Sequence, residues 1–147
     1  SEIHRSLYTY TISIDLDRVG VDGDIEISQA EKAKRVNGLL DAVQYLYRDI
    51  KGRRENLAPL FVIGGNYSRK NPFFENRVSI SKNNINVATL LEIMDADEDI
   101  KSSTVAGVIS EIFDNDKEIK DKLGAVTVAE AFRQLKEKVD TYYGESN

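Results

Sequence analysis

Two acidic spacings and two basic loops are where the residue types of this chain could do chemistry. Asp15, Asp17, Gly20 and Glu26 fall at positions one, three, six and twelve of the calcium-binding helix–loop–helix pattern. Val19 at position five brings no side-chain oxygen. The residues before Asp15 alternate like a strand where the pattern requires a helix. We therefore expect a turn at a strand end. Asp95, Asp97 and Asp99 also alternate, but Ile100 stands where the pattern needs Gly and Ala106 where it needs Glu, so a solvated acidic linker is expected. His4 is the only histidine and there is no cysteine, which removes thiolate ligands, thiol nucleophiles and disulfides together. No nucleophile elbow, zinc-protease motif or phosphate-binding loop is present, and Gly64-Gly65 suits a tight turn after a buried strand. The expectation is a protein without catalysis, metal or cofactor.

The basic loops are less bland. Lys51, Arg53 and Arg54 share one short stretch. Tyr67, Arg69, Lys70 and Asn71 form another, followed by Phe73 and Phe74. Cations interleaved with aromatic rings suit single-stranded RNA, in which phosphates meet Lys or Arg and bases stack on rings. The competing reading is that both are solvated surface loops and that Phe73 and Phe74 plug the edge of the core. The candidate RNA-binding set is Lys51, Arg53, Arg54, Tyr67, Arg69, Lys70 and Asn71.

These residues need elements to hold them. Leu7 to Leu16 alternates apolar and small polar residues, which predicts a half-buried strand. Ser28 and Glu31 have capping-box spacing, and Ala33, Val36, Leu40, Val43, Tyr47 and Ile50 recur at helical steps. A long helix over 28–50 is expected, packed on a sheet and broken by the basic stretch at Lys51. Leu60 to Ile63 reads as a buried strand with Pro59 at its start. Arg77 to Ser81 reads as another strand, followed by a turn at Asn83-Asn84. Helices are expected over Val87–Met94, Thr104–Phe113 and from the Thr127/Glu130 capping box to about Tyr143, with Gly144 placed to end the last. Strand, long helix, two strands and then helices suit an α+β fold.

Composition bounds the rest. The chain has 147 residues, enough for one domain with an ordinary core. It is 41% hydrophobic and 31% charged, within the globular range. It has no apolar run of membrane-spanning length and no signal-peptide pattern, so a cytoplasmic protein is expected. The net charge of −5 disfavours a self-sufficient nucleic-acid binder, so any such contact must come from a local basic patch.

Two stretches carry a family resemblance: Lys32-Ala33-Lys34-Arg35-Val36 through Leu39-Leu40-Asp41-Ala42 to Tyr45–Pro59, and Leu60–Gly65 leading to Lys70-Asn71-Pro72-Phe73-Phe74-Glu75-Asn76. With the segment Tyr10 to Gly20 before them, they resemble the DevR-type CRISPR-associated autoregulators, the "Cas seven" backbone group of type I effector complexes. The resemblance implies a partial ferredoxin-like (RRM-like) sheet with a long packed helix, followed by C-terminal helices. It also implies a single domain over 1–147, the C-terminal portion of a longer subunit: a strand–helix–strand part over 7–82 and a helical region over 86–144. The implied function is a non-catalytic, Cascade-like backbone subunit of a ribonucleoprotein complex for antiviral defence. Its implied partners are CRISPR guide RNA, further copies of the subunit, other effector-complex proteins and, through the guide, target DNA. A DNA-binding transcriptional autoregulator and a pure protein-interaction domain are the alternatives.

Overall fold

The computed structural model describes residues 7–50 and 53–144, with the side chains of all of these except 47–50 and 53–55. After a single 3-10 turn at Leu16–Arg18, its elements are β1 (Val21–Asp22), β2 (Ile25–Glu26), α1 (Gln29–Gln44), β3 (Tyr47–Ile50), β4 (Arg53–Asn56) and β5 (Phe61–Gly65). They continue with β6 (Ile80–Ser81), β7 (Asn84–Ile85), α2 (Val87–Met94), α3 (Glu98–Ser103), β8 (Thr104–Val108), α4 (Asp116–Leu123) and α5 (Val128–Gly144). The strands form four antiparallel pairs, β1–β2, β3–β4, β5–β8 and β6–β7. The fold is α+β.

The pair β5–β8 is the centre of the molecule. Its register sets Phe61 opposite Val108, Val62 opposite Gly107 and Ile63 opposite Ala106. Opposed residues share a face, and successive residues alternate faces. Phe61, Ile63, Ala106 and Val108 pack into a core with Leu90 and Met94 of α2, Phe113, and Ile119 and Leu123 of α4. The other face carries Gly107 and receives α5. A Cβ on Gly107 would stand 2.6 Å from the Ala131 Cβ, so the absence of a side chain lets helix and strand approach. Gly65 has a similar cause, since its Cβ would meet the Ser103 carbonyl oxygen at 2.2 Å. The pair Gly64-Gly65 therefore ends the strand ladder rather than forming the expected turn.

Several expected elements form. Ser28 Oγ accepts from the Glu31 N–H at 3.2 Å and opens α1, and Thr127 Oγ1 accepts from the Glu130 N–H at 3.1 Å and opens α5. The turn between β6 and β7 places Lys82 and Asn83 at φ 52° and 62°, the left-handed pair of a tight hairpin. Asn115 then grips this hairpin like a strand edge, its side chain accepting from the Ile85 N–H and donating to the Ile85 carbonyl.

Four expectations are corrected. First, α1 stops at Gln44, not Ile50, and Tyr47–Ile50 turns back on Arg53–Asn56 as a hairpin. A short run of Tyr, Leu and Ile fits both periods, and the partner strand Arg53–Asn56 decides between them. Second, Leu7–Leu16 joins no ladder, and Tyr8, Tyr10 and Ile12 are 68%, 53% and 45% exposed. Alternation specifies a strand only where a neighbour pairs with it, and none of the described strands does. Third, Thr104–Val108 is a strand rather than the start of a helix. Its β-branched Thr and Val suit a pleated surface, and Gly107 fits only against α5. Fourth, the acidic run is not merely a linker, because Asp97 caps α3 by accepting from the Ile100 N–H at 3.0 Å.

The remaining difference is what α1 packs on. Val36 is buried with Val139 and Tyr143 of α5, and Ile14, Leu16, Ala33 and Leu40 pack around them. Asn37 donates to Asp140 and Lys136 to Asp41, tying α1 to α5 along its length. The sheet expected beneath α1 is not there, since the faces of β5–β8 are taken by α5 and by the α2/α4 core.

Candidate nucleic-acid interface

The described part of the candidate set is the loop over 66–76, which leaves the end of β5 and returns toward β6. Tyr67 is half-buried. Its ring meets Phe73 edge-on with centroids 5.0 Å apart, and its hydroxyl lies 2.8 Å from Thr104 Oγ1. The single Thr104 hydroxyl proton goes to the Ile100 carbonyl at 2.6 Å, so Tyr67 donates. Burial pushes the Tyr67 phenol up to about 12. The ring that could stack a base is thus a packing element, pinned at both ends.

Ser68 follows, and its N–H and Oγ both donate to Asp99 Oδ2. Arg69 is the freest cation of the loop: its side chain is 76% exposed and its contact with Asp97 is long, at 4.0 Å. Lys70 differs. Its Nζ lies 2.9 Å from Asp17 Oδ2 and 3.3 Å from Asp15 Oδ1. Hydrogen bonds that the Lys70 ammonium donates to these carboxylates, Asp17 first, raise it above its ordinary value. Tyr142 also donates to Asp17, and that bond, with Lys70 behind it, lowers the Asp17 carboxyl. Asn71 is exposed, its backbone N–H bonded to the Arg69 carbonyl.

Of the other group, Arg53 and Arg54 lie in β4, paired with Ile50 and Asp49, and not in a loop after a helix. Lys51 and the side chains of Arg53 and Arg54 lie outside the described residues. The structure therefore gathers Tyr67, Arg69, Lys70 and Asn71 on one loop, over carboxylates that came from two separate acidic spacings. Sequence reasoning missed those carboxylates as partners of the loop. Asp15, Asp17, Asp97 and Asp99 were legible as acidic spacings, but nothing in their order shows that Lys70 and Arg69 fold onto them.

The first acidic spacing is spent the same way. Asp15 and Asp17 hold Lys70, and Glu26 accepts from the buried Lys32. Among the described residues no group of three His, Asp or Glu could hold a metal ion, and no helix is long and apolar enough to cross a membrane. On α5 two cations are also engaged: Arg133 donates to Glu130 and Glu137, each at 2.8 Å or less, and Lys136 to Asp41.

Compared with known proteins, residues 1–88 match the family model described as CRISPR-associated negative auto-regulator DevR/Csa2. No curated protein and no solved structure matches the chain.

Proposed function

Because the chain belongs to the CRISPR-associated DevR/Csa2 family, we propose that it serves as a non-catalytic backbone subunit of a Cascade-like effector complex, holding CRISPR guide RNA. The family match, which covers more than half of the chain, is the observation that carries this reading. In this proposal the RNA backbone runs past Arg69 and Asn71, past the β4 residues Arg53 and Arg54, and past Lys51. Lys70 contributes once a phosphate competes with Asp15 and Asp17 for its ammonium, and Tyr67 supports the loop from beneath. The partners are other copies of the subunit, other effector proteins and, through the guide, target DNA, in the cytoplasm and without a cofactor.

The weak hold on Arg69 supports this reading physically. An exposed guanidinium with one contact at 4.0 Å gives up little when a phosphate arrives. The test is guide-RNA binding at several salt concentrations, comparing the parent with Arg69→Ala and with Arg53→Ala/Arg54→Ala. Weaker binding that is equal for all RNA sequences supports the proposal; unchanged affinity in both variants, with folding intact, removes these residues from the RNA path. Incubation with RNA, DNA and divalent metal should give no turnover.

The printed family description, a negative auto-regulator, favours one second reading, transcriptional control through DNA. Its recognition helix would have to be α5, the longest helix among the described residues. The ion pairs of Arg133 with Glu130 and Glu137 leave that face poorly suited to a major groove.

A further inference from the structure

An open groove of about 1090 Å³ lies between β5 and residues 7–17, floored by Val36, Leu40 and Val43 of α1 and Leu135 and Val139 of α5. One wall is a strand edge. The Val108 N–H bonds to the Val126 carbonyl and the Val126 N–H to the Ala106 carbonyl, so Ala106 and Val108 point their backbone groups away from β5. Val105 and Gly107 therefore point theirs at their partners Gly64 and Val62. Phe61, Ile63 and Gly65 are left with their N–H and C=O groups directed into the groove, and none of these groups has a partner among the described residues. The other wall, Leu7 to Ile14, alternates like a strand, carries no charged residue and joins no ladder.

This second wall is pinned at both ends. Leu7 packs against the core that Phe61 and Ile63 share with α2 and α4. Ile14 and Leu16 pack with Val36, Val139 and Tyr143, on the side of α1 and α5. The anchor beyond Ile14 is polar as well. The Tyr143 hydroxyl donates to the Leu16 carbonyl at 2.8 Å, and Lys70 and Tyr142 hold Asp17. Leu7 and Ile14 stand an odd number of positions apart, so in a strand their side chains point to opposite faces. The two ends already sit that way, one toward the α2/α4 core and the other toward α5. Parity also sorts the middle. Tyr8, Tyr10 and Ile12 share the face of Ile14, which is the face of the groove floor, yet they are 68%, 53% and 45% exposed. Between two anchored ends, the middle alone stands away from the edge.

We propose that residues 7–14 are a strap that closes on the β5 edge of its own chain, as a third strand beside β5 and β8. Closure gives the backbone groups of Phe61, Ile63 and Gly65 their partners and lowers Tyr8, Tyr10 and Ile12 onto Leu40, Val43 and Leu135. Both unpaired rows are satisfied in one step. A strand tethered at both ends stays beside the edge at an effective concentration of about millimolar or more, which a separate molecule does not match at ordinary protein concentrations. The closed strap denies the edge to foreign strands, and it fixes the end of β5 from which the 66–76 loop leaves. Its closure does not depend on what that loop binds.

The chain has no tryptophan, so Tyr10→Trp reports on the strap alone. Its emission should be that of a buried indole, poorly quenched by acrylamide and unchanged on dilution. Amide hydrogen exchange at Phe61, Ile63 and Gly65 should be slow at every protein concentration. Tyr10→Lys/Ile12→Lys should speed exchange at those three amides at least about tenfold, with Val62 and Gly64, already bonded to β8, nearly unchanged. Both substituted residues are exposed while the strap is open, so the fold should survive, checked by circular dichroism. A solvent-exposed indole, or fast exchange at the three amides of the parent, overturns the proposal. Equal protection in parent and double variant does so too. Protection that fades on dilution would assign the edge to a second copy, and protection that grows when a synthetic peptide of alternating sequence is added would assign it to a foreign strand; either result overturns closure by the chain's own strap.

Discussion

Tyr67 carries more structure than its place in a polar loop suggests. Its hydroxyl closes a relay through Thr104 to the Ile100 carbonyl, and its ring braces Phe73. Tyr67→Phe removes one hydrogen bond and keeps the ring, so chemical denaturation should show a loss of about 1 kcal/mol, with guide-RNA binding unchanged. Tyr67→Ala also removes the ring, and the loss should grow to about 3 kcal/mol. The phenol adds a pH signature. Its folded pKa, about 12, lies above the ordinary 10, so the neutral form is favoured by folding. That stability is complete below pH 10 and is lost as pH rises toward 12, a loss Tyr67→Phe should lack. Asp17 has the opposite sign. Its carboxyl is lowered by Tyr142 and then by Lys70, so its contribution is present above the ordinary carboxylate value of 3.8 and lost as pH falls through the lower folded value. An acid titration of stability should flatten at its lowest pH in Asp17→Asn.

Elements show where sequence patterns suffice and where they stop. The caps at Ser28 and Thr127 were legible because a cap is local: one side chain and one N–H three residues on. Ser28→Ala and Thr127→Ala should each cost about 1 kcal/mol in thermal or chemical unfolding. β5 and α2 were legible for a similar reason, as short apolar runs with clear breakers. The end of α1, the strand β8 and the unpaired 7–14 segment were not. Each depends on a partner far away in sequence: Arg53–Asn56 for Tyr47–Ile50, β5 for Thr104–Val108, and no described strand for 7–14. Gly107 marks this limit most sharply. In the sequence it is one glycine among nine; in the fold it is where α5 touches the sheet. Gly107→Ala should destabilise by about 1–3 kcal/mol through overpacking against Ala131. The double variant Gly107→Ala/Ala131→Gly should recover part of that loss. Additive effects in the two variants would show that Ala131 is not what limits the space.

For the whole molecule, the question is how a chain of net charge −5 would hold the polyanion proposed for it. The candidate loop is part of the answer, and it was only half legible. Sequence placed Arg69, Lys70 and Asn71 together because they are neighbours, but the neutralising carboxylates come from the 3-10 turn and from α3. Counting Lys51, Arg53, Arg54, Arg69 and Lys70 as phosphate contacts, single-stranded RNA should show a logarithmic salt slope of at most about −3.5. The ion pairs of Lys70 with Asp15 and Asp17 lower its share, because a phosphate gains that ammonium only by displacing two carboxylates. Arg69→Ala should therefore reduce the slope by nearly the full contribution of one contact, about 0.7. Lys70→Ala should reduce it less, and Asp15→Asn/Asp17→Asn should strengthen binding by releasing Lys70. Fluorescence anisotropy of labelled RNAs of unrelated sequence, titrated at several salt concentrations, measures all three. A slope steeper than this set of cations permits would place the RNA on a different face. A Lys70→Ala effect as large as that of Arg69→Ala would mean that the Asp15–Asp17 clasp opens freely when RNA binds.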